Sequence, residues 1–265
     1  MSPGVQLLIG LGLATGLILL LFAWQWWTRN ATSVDVGWSG GLGLLALFYL
    51  YSGGGEITAR QLVIGWLAAL WAFRLAAYLG WTRVLRHKEE DGRYQELRRS
   101  WGAANQLWFF GFYLLQALAC WLFSLPVFIA LQSTSAELTV WDWLGAAILL
   151  ISVFGEAIAD WQLADFRAHS AHRGQTCRIG LWRYSRHPNY FFEWLHWWSY
   201  VVWSIGSPWG WTTLFGPALM LLFLFRITGI PATEAQALRS RGDDYRDYQR
   251  TTSVFVPWFP SKGRS

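Results

Sequence analysis

Charge is what this chain has least of. Asp, Glu, Lys and Arg make up 14% of its 265 residues, against roughly 25% in an ordinary soluble domain, and Val5 to Trp27 holds none of them. Cysteine is nearly absent. Cys120 sits inside an apolar run and Cys177 in a basic loop, which excludes a disulfide framework and a cysteine metal site. No HExxH or CxxC spacing occurs, so no catalytic metal is expected. Strand-period alternation is missing and turn residues are too few for a β-barrel. There is no internal repeat, low-complexity tract or linker between soluble domains. Gly10, Gly12 and Gly16 superficially match a dinucleotide fingerprint, but they lie in the first apolar run with no strand before them, and close helix packing accounts for them better.

Apolar length is present in abundance: 54% of the residues are hydrophobic. The run from Val5 to Trp27 meets the roughly 20 residues a crossing needs. It exceeds a signal-peptide core and lacks a basic leader, so it reads as a retained helix. Further apolar spans at about 34–51, 61–81, 106–131, 141–163, 189–206 and 211–230 bring the expectation to about seven transmembrane helices in an all-α integral membrane protein. The 21 tryptophans suit an interfacial belt, while Trp66 and Trp71 fall deeper, where packing or a ligand cavity are the options.

The formal charge of +5 raises the question of a nucleic-acid surface, and the placement of the cations answers it. Seventeen of the 21 Lys and Arg fall in three segments, 82–104, 164–188 and 231–265, while the loops near 52–60, 132–140 and 207–210 carry only Arg60. The positive-inside rule puts the three basic segments on the cytoplasmic side, the N-terminus outside and the C-terminus inside. No nucleic-acid partner follows.

Some polar residues are not explained by topology. A charge inside a lipid-spanning helix costs at least ~2.5 kcal/mol near its centre. Arg74 lies in such a helix, with Tyr78 at i+4 on its face; it is either a snorkelling or paired cation or part of a polar cavity. Asp35 opens the second span in SVDVGW. It is either a helix N-terminal carboxylate favoured by the dipole or an acid whose desolvation keeps a proton for donation. Glu156 and Asp160 share a helix face with Arg167 close to it, as an exposed amphipathic end or as a polar pocket. In GLWRYSRHPNYFFEW, Pro188 suits the first turn of a helix, which would put free backbone N–H groups beside Arg183, Arg186 and His187 and make an anion site. Asn189, Glu193 and His196 then descend one face. The tail carries Glu234, Arg239, Tyr245 and Tyr248 and ends in an apolar VPW, an aromatic content that suits a segment folded back as a lid.

RHPNY at 186–190, Glu193, and a tail with Glu234, Gly242, Tyr245, Tyr248 and VPW resemble the membrane family of steroid 5α-reductases, sterol reductases and isoprenylcysteine methyltransferases. SVDVGW at 33–38, RYQELRRSWG at 93–102 and LWRYSRHPNYFFEW at 181–194 are most similar to its bacterial 5α-reductase-like branch, and the resemblance spans about 33–258. It implies NADPH-dependent reduction of the C=C bond of a hydrophobic enone, such as a 3-oxo-Δ4-steroid, with a carboxyl group and a tyrosine polarising the carbonyl. The family's Asn-x-x-x-Asp followed by Arg corresponds here to Glu156, Asp160 and Arg167, and its later Asn and Glu to Asn189 and Glu193. With Arg183, Tyr184, Arg186, His187, Tyr190, Glu234, Arg239, Tyr245 and Tyr248 these are the implied cofactor residues.

The family's catalytic Gln-Glu pair has no literal copy. Asp35 is the nearest candidate acid, Trp71 aligns with the paired aromatic, and Tyr78 and Arg74 complete the implied catalytic set. The implied plan is one membrane domain over 1–265, with 1–105 on the substrate and acid side, 106–230 on the cofactor side and 231–265 as a cytoplasmic tail closing over the cofactor. Expected partners are the enone substrate and membrane lipid, without an obligate protein partner, in a multi-pass protein of a bacterial inner membrane. Because RHPxY serves S-adenosylmethionine in the methyltransferases, a methyltransferase of the isoprenylcysteine type is the alternative.

Overall fold

The computed structural model describes residues 1–86, 89–133, 137–172, 174–227 and 229–261. Four of the tail and loop cations counted above, Lys88, Arg173, Lys262 and Arg264, lie outside the described residues. Among the described residues the regular structure is all helical: α1 (Pro3–Thr28), α2 (Ser33–Ser52), α3 (Ala59–Leu79), α4 (Gly92–Trp101), α5 (Asn105–Leu131), α6 (Val140–Ala168), α7 (Pro188–Trp203), α8 (Phe215–Leu222), α9 (Ile230–Arg241) and α10 (Asp243–Thr251). They gather into two compact units, Met1–Thr139 with Gly206–Gly210, and Val140–Ile205 with Trp211–Ser265.

Among the described residues six helical runs are long and apolar enough to cross a membrane, against an expectation of about seven. The shortfall is at α7, whose 16 residues reach only about 24 Å at 1.5 Å per residue, less than a ~30 Å hydrocarbon core. The expected apolar span runs on to residue 206 because Ser204, Ile205 and Gly206 carry no charge, but the chain turns there: Ser204 caps α7, and Gly206 has φ 78°.

In the first unit, local sequence sets the helix ends. Thr58 and Gln61 form a reciprocal capping box at the start of α3, with Gln61 N–H donating to Thr58 Oγ1 at 3.2 Å and Thr58 N–H to Gln61 Oε1 at 3.0 Å. The same glutamine donates through Nε2 to the Leu131 carbonyl at 3.0 Å, tying the start of α3 to the end of α5. At the start of α1, Gln6 donates to Ser52 Oγ at 2.8 Å at the end of α2. The start of α3 thus lies beside the end of α5, and the start of α1 beside the end of α2.

Small residues bring these helices together. A Cβ at Gly10 would lie 2.4 Å from the Tyr49 hydroxyl, and one at Gly43 2.7 Å from Phe73. Gly10 thus packs closely as expected. Gly12 and Gly16 do not: nothing lies within 4 Å of a Cβ there, because they turn away from the buried stripe of Gln6, Gly10, Ala14 and Ile18. Trp71 is buried, whereas Trp66 stays 42% exposed and donates to the Tyr51 hydroxyl at 3.1 Å.

In the second unit, glycines of α6 receive the aromatics of α7. Gly145 faces Trp203 and Gly155 faces Phe192, each with no room for a Cβ, and Trp203 Nε1 donates to the Asp142 carbonyl at 3.0 Å. A 3-10 turn, Gly180–Arg183, leads into α7. It is fixed by Leu181 N–H donating to Gln162 Oε1 at 2.9 Å and Trp182 Nε1 donating to the Ala159 carbonyl at 2.8 Å. Only Gly fits at position 180, where φ is 54° and the Gln162 amide lies against the missing Cβ.

Candidate functional site

The second unit gathers most of the sequence-predicted cofactor residues around Glu234 of α9. Arg186 Nε donates to Glu234 Oε1 at 2.7 Å, and His187 Nε2 lies 3.3 Å from the same oxygen. Gln249 Nε2 donates to Glu234 Oε2 at 2.9 Å and the Tyr245 hydroxyl to Oε1 at 3.4 Å. Arg186 extends the clasp through Nη1 to the carbonyls of Gln249 and Thr252, at 2.8 and 3.1 Å, and through its backbone N–H to Ser253 at 2.8 Å. The planar guanidinium, with several donors in a fixed fork, is suited to this multiple engagement. Arg186 and His187, read from sequence as part of an anion mouth, are the residues that fasten the tail.

A second clasp lies beside it. Arg178 Nη1 donates to Asp247 at 2.8 Å and Nη2 to Asp244 Oδ1 at 2.9 Å, with Thr176 N–H donating to Asp244 Oδ2 at 2.7 Å. Burial alone would raise the Asp244 pKa, but the Thr176 donor and the Arg178 guanidinium hold it below the ordinary value. The Tyr248 hydroxyl reaches the carbonyls of Trp182 and Ser185. Burial pushes the Tyr245 and Tyr248 phenols up, and for Tyr245 the nearby Glu234 carboxylate adds to it. The tail from α9 to Ser261 is thereby folded back onto the 176–187 segment. Sequence reasoning missed Arg178, Asp244, Asp247 and Gln249, although the acidic DDYRD run opposite a basic loop carried the signal.

At the start of α7 the expected geometry is found. Pro188 occupies the first turn, the helix has no side-chain cap, and Asn189 Nδ2 donates to Asp160 Oδ1 of α6 at 3.1 Å. Glu156, one turn from Asp160, is buried. The His187 and Tyr190 rings stack at 5.4 Å, and the Tyr190 hydroxyl lies 3.3 Å from Thr233 Oγ1. Tyr184 offers its carbonyl to Trp258 N–H at 2.9 Å. Glu193 lies half-buried on α7, and Arg167 lies in the last turn of α6. Arg183 and Arg239 are exposed, with no acidic partner among the described residues. An uncapped helix start leaves backbone N–H groups available to an anion, and the Asn189 amide is fixed beside it by the Asp160 carboxylate.

In the first unit Asp35 lies in the first turn of α2, surrounded by side-chain donors. Its Oδ2 accepts from Arg83 at 2.8 Å and Arg93 at 2.6 Å, and its Oδ1 from the Tyr94 hydroxyl at 2.5 Å. Arg93 also pairs with Asp91 at 3.0 Å; burial would raise the Asp91 carboxyl, yet Arg93 holds it down. Glu90 and Arg98 form an adjacent pair at 2.7 Å, which Gln25 of α1 and Asn105 of α5 join. Asp35 is an ion-pair hub that ties the start of α2 to the π-helical turn after α3 and to α4. Its tyrosine partner is Tyr94, which the RYQELRRSWG segment contained. On α3, Trp71 is buried, Arg74 half-buried, and Tyr78 36% exposed one turn beyond it.

A family profile described as "Protein of unknown function (DUF1295)" matches residues 21–252. An uncharacterized protein of the fission yeast Schizosaccharomyces pombe is 28% identical over 278 residues, covering 94% of this chain and 79% of its own length. No solved structure matches.

Proposed function

Because the chain belongs to the DUF1295 family, within the steroid 5α-reductase-like superfamily, we propose that it is an NADPH-dependent membrane reductase of the C=C bond of a hydrophobic enone, such as a 3-oxo-Δ4-steroid. The observation that carries this reading is the Asp160–Asn189 pair at the uncapped start of α7, beside the Arg186–Glu234 clasp. Arg183 and Arg239 supply cationic charge for phosphate groups, in addition to the backbone N–H groups of α7. Asp160 and Asn189, positioned by each other, offer an acceptor and donors for ribose hydroxyls or a carboxamide. The tail excludes water from the bound group, and Arg186, His187 and Glu234 act by holding it closed.

NADPH, when bound, supplies the hydride. Reduction of an enone develops negative charge on the carbonyl oxygen, which hydrogen-bond donors stabilise. The family resemblance that implies this reaction gives that role to Tyr78 and Arg74 of α3, together with Trp71. Asp35, already accepting three donors, positions helix ends.

The test is NADPH binding by detergent-purified Asn189→Ala and Asp160→Asn proteins. Losing one charge-assisted contact of ~1.5–3 kcal/mol weakens binding by roughly 10- to 100-fold. Unchanged binding in both variants, with melting unchanged, would place the cofactor elsewhere.

A further inference from the structure

The last described segment, Ser253–Ser261, is held rigidly yet displays apolar side chains. Arg186 N–H and Ser185 Oγ donate to the carbonyls of Ser253 and Phe255, both at 2.8 Å, and the Trp258 and Ser261 N–H groups donate to Tyr184 and Thr251, both at 2.9 Å. Phe255 is buried between rings of α7 and of the π-helical turn Phe223–Ile227 that continues α8: Phe191 at 5.8 Å, Trp194 at 5.6 Å and Phe225 at 5.3 Å. Its neighbours are not buried. Val256 is 53%, Trp258 71% and Phe259 76% exposed. Three large apolar side chains on a strapped backbone, in an otherwise polar tail, require an apolar environment.

Depth says which one. Phe255 meets α7 in its first two turns and the last apolar run near its end, so the tip lies beside helix ends, and the end of an apolar helix is where a hydrocarbon core gives way to headgroups. Beside the tip is an open groove of about 460 Å³. Its lining combines Val256, Trp258 and Phe259 with Arg250 and the hydroxyl residues Thr251, Thr252, Ser253 and Ser261. Arg250 is exposed, with no acidic partner among the described residues. Hydroxyls and one guanidinium in the same groove as Trp and Phe match a phosphate on a glycerol ester. Tryptophan and arginine also share a preference for the membrane interface.

We infer that the Val256–Phe259 tip inserts into the membrane interface and that the adjoining groove binds the headgroup of an anionic phospholipid, with its phosphate on Arg250. The tail is then held by the bilayer as well as by its two clasps. This inference is independent of the reaction proposed above, because it concerns a lipid contact and not the cofactor residues.

The test uses full-length protein with Trp258→Cys carrying an environment-sensitive thiol dye, which is selective because Cys120 and Cys177 are both buried. In nanodiscs containing phosphatidylglycerol the dye emission is expected to shift to the blue of its value in detergent-free buffer standards and to be quenched by headgroup-proximal spin-labelled lipid. In Arg250→Gln and Arg250→Glu, the gain in quenching from phosphatidylcholine to phosphatidylglycerol discs is expected to fall severalfold. Water-like emission in every disc would overturn the insertion. Equal quenching in both lipids, unaffected by either Arg250 variant, would overturn headgroup recognition. Melting of otherwise native Arg250→Gln provides the folding control: phosphatidylglycerol is expected to raise the wild-type midpoint more than that of the variant, and an equal rise in both would count against the site.

Discussion

Glu234 is the residue on which the tail turns. Its carboxylate meets Arg186, His187, Gln249 and Tyr245, and the Arg186 and Glu234 side chains are only 11% and 17% exposed. Removing one partner of a largely buried pair leaves the other charge uncompensated, at ~3–5 kcal/mol. Glu234→Ala is therefore expected to speed amide exchange in α9 and α10 by at least about 100-fold, since each 1.4 kcal/mol is tenfold; unchanged exchange would show that the clasp does not hold the tail. Asp244 gives the clasp a pH dependence. Its carboxyl is held below the ordinary value in the fold, so its contribution is complete above roughly pH 4 and is lost as pH falls through the depressed value. Tail protease sensitivity is expected to rise only below that point. Asp35→Asn separates position from chemistry: with Arg83 and Arg93 partly exposed, it is expected to cost about 1–2 kcal/mol and leave NADPH binding intact. Full stability with turnover abolished would instead mark Asp35 as the proton donor. Asp160 and Asn189 are each legible in the sequence as polar residues on a helix face, but their pairing across α6 and α7 is not, because periodicity places a residue on its own helix and says nothing of the helix opposite. The Asp35 hub is not legible either, because Arg83, Arg93 and Tyr94 reach it across 48 to 59 residues of chain, a distance no periodicity spans.

At the scale of elements, hydropathy located the long helices within a few residues of their observed ends, since burying or lipid-exposing some 20 apolar residues leaves little choice of boundary. It failed where the chain turns without becoming polar, as after Trp203, and where short amphipathic helices such as α4 and α10 depend on ion pairs for their position. The contacts of α6 with α7 depend on residues with no hydropathy signal at all. A Cβ at Gly155 would stand 2.4 Å from the Phe192 ring, whereas one at Gly12 meets nothing within 4 Å. Ala at these two positions should act with opposite sign. Gly12→Ala gains about 0.5–1 kcal/mol from reduced backbone entropy, and Gly155→Ala loses about 1–3 kcal/mol by overpacking. Melting midpoints of the two variants check this, and a shift in the same direction would mean that the α6–α7 seam is looser than its geometry indicates.

At the scale of the whole molecule, a chain with little charge has concentrated it in a few closed networks, and those networks sit at helix ends and in the tail instead of on a solvated surface. The first unit uses its network to tie together α1, α2, the turn after α3, α4 and α5; the second uses its network to fold the tail back onto the segment that leads into α7. In the function proposed above, the folded-back tail serves NADPH and an enone. The most direct test is cofactor binding by the purified protein with NADPH, NADH and S-adenosylmethionine, followed by NADPH oxidation on adding a 3-oxo-Δ4-steroid. Binding of NADPH with steroid-dependent oxidation is the predicted result. Tight binding of S-adenosylmethionine with no response to NADPH would contradict it and assign the same tail and helix start to methyl transfer.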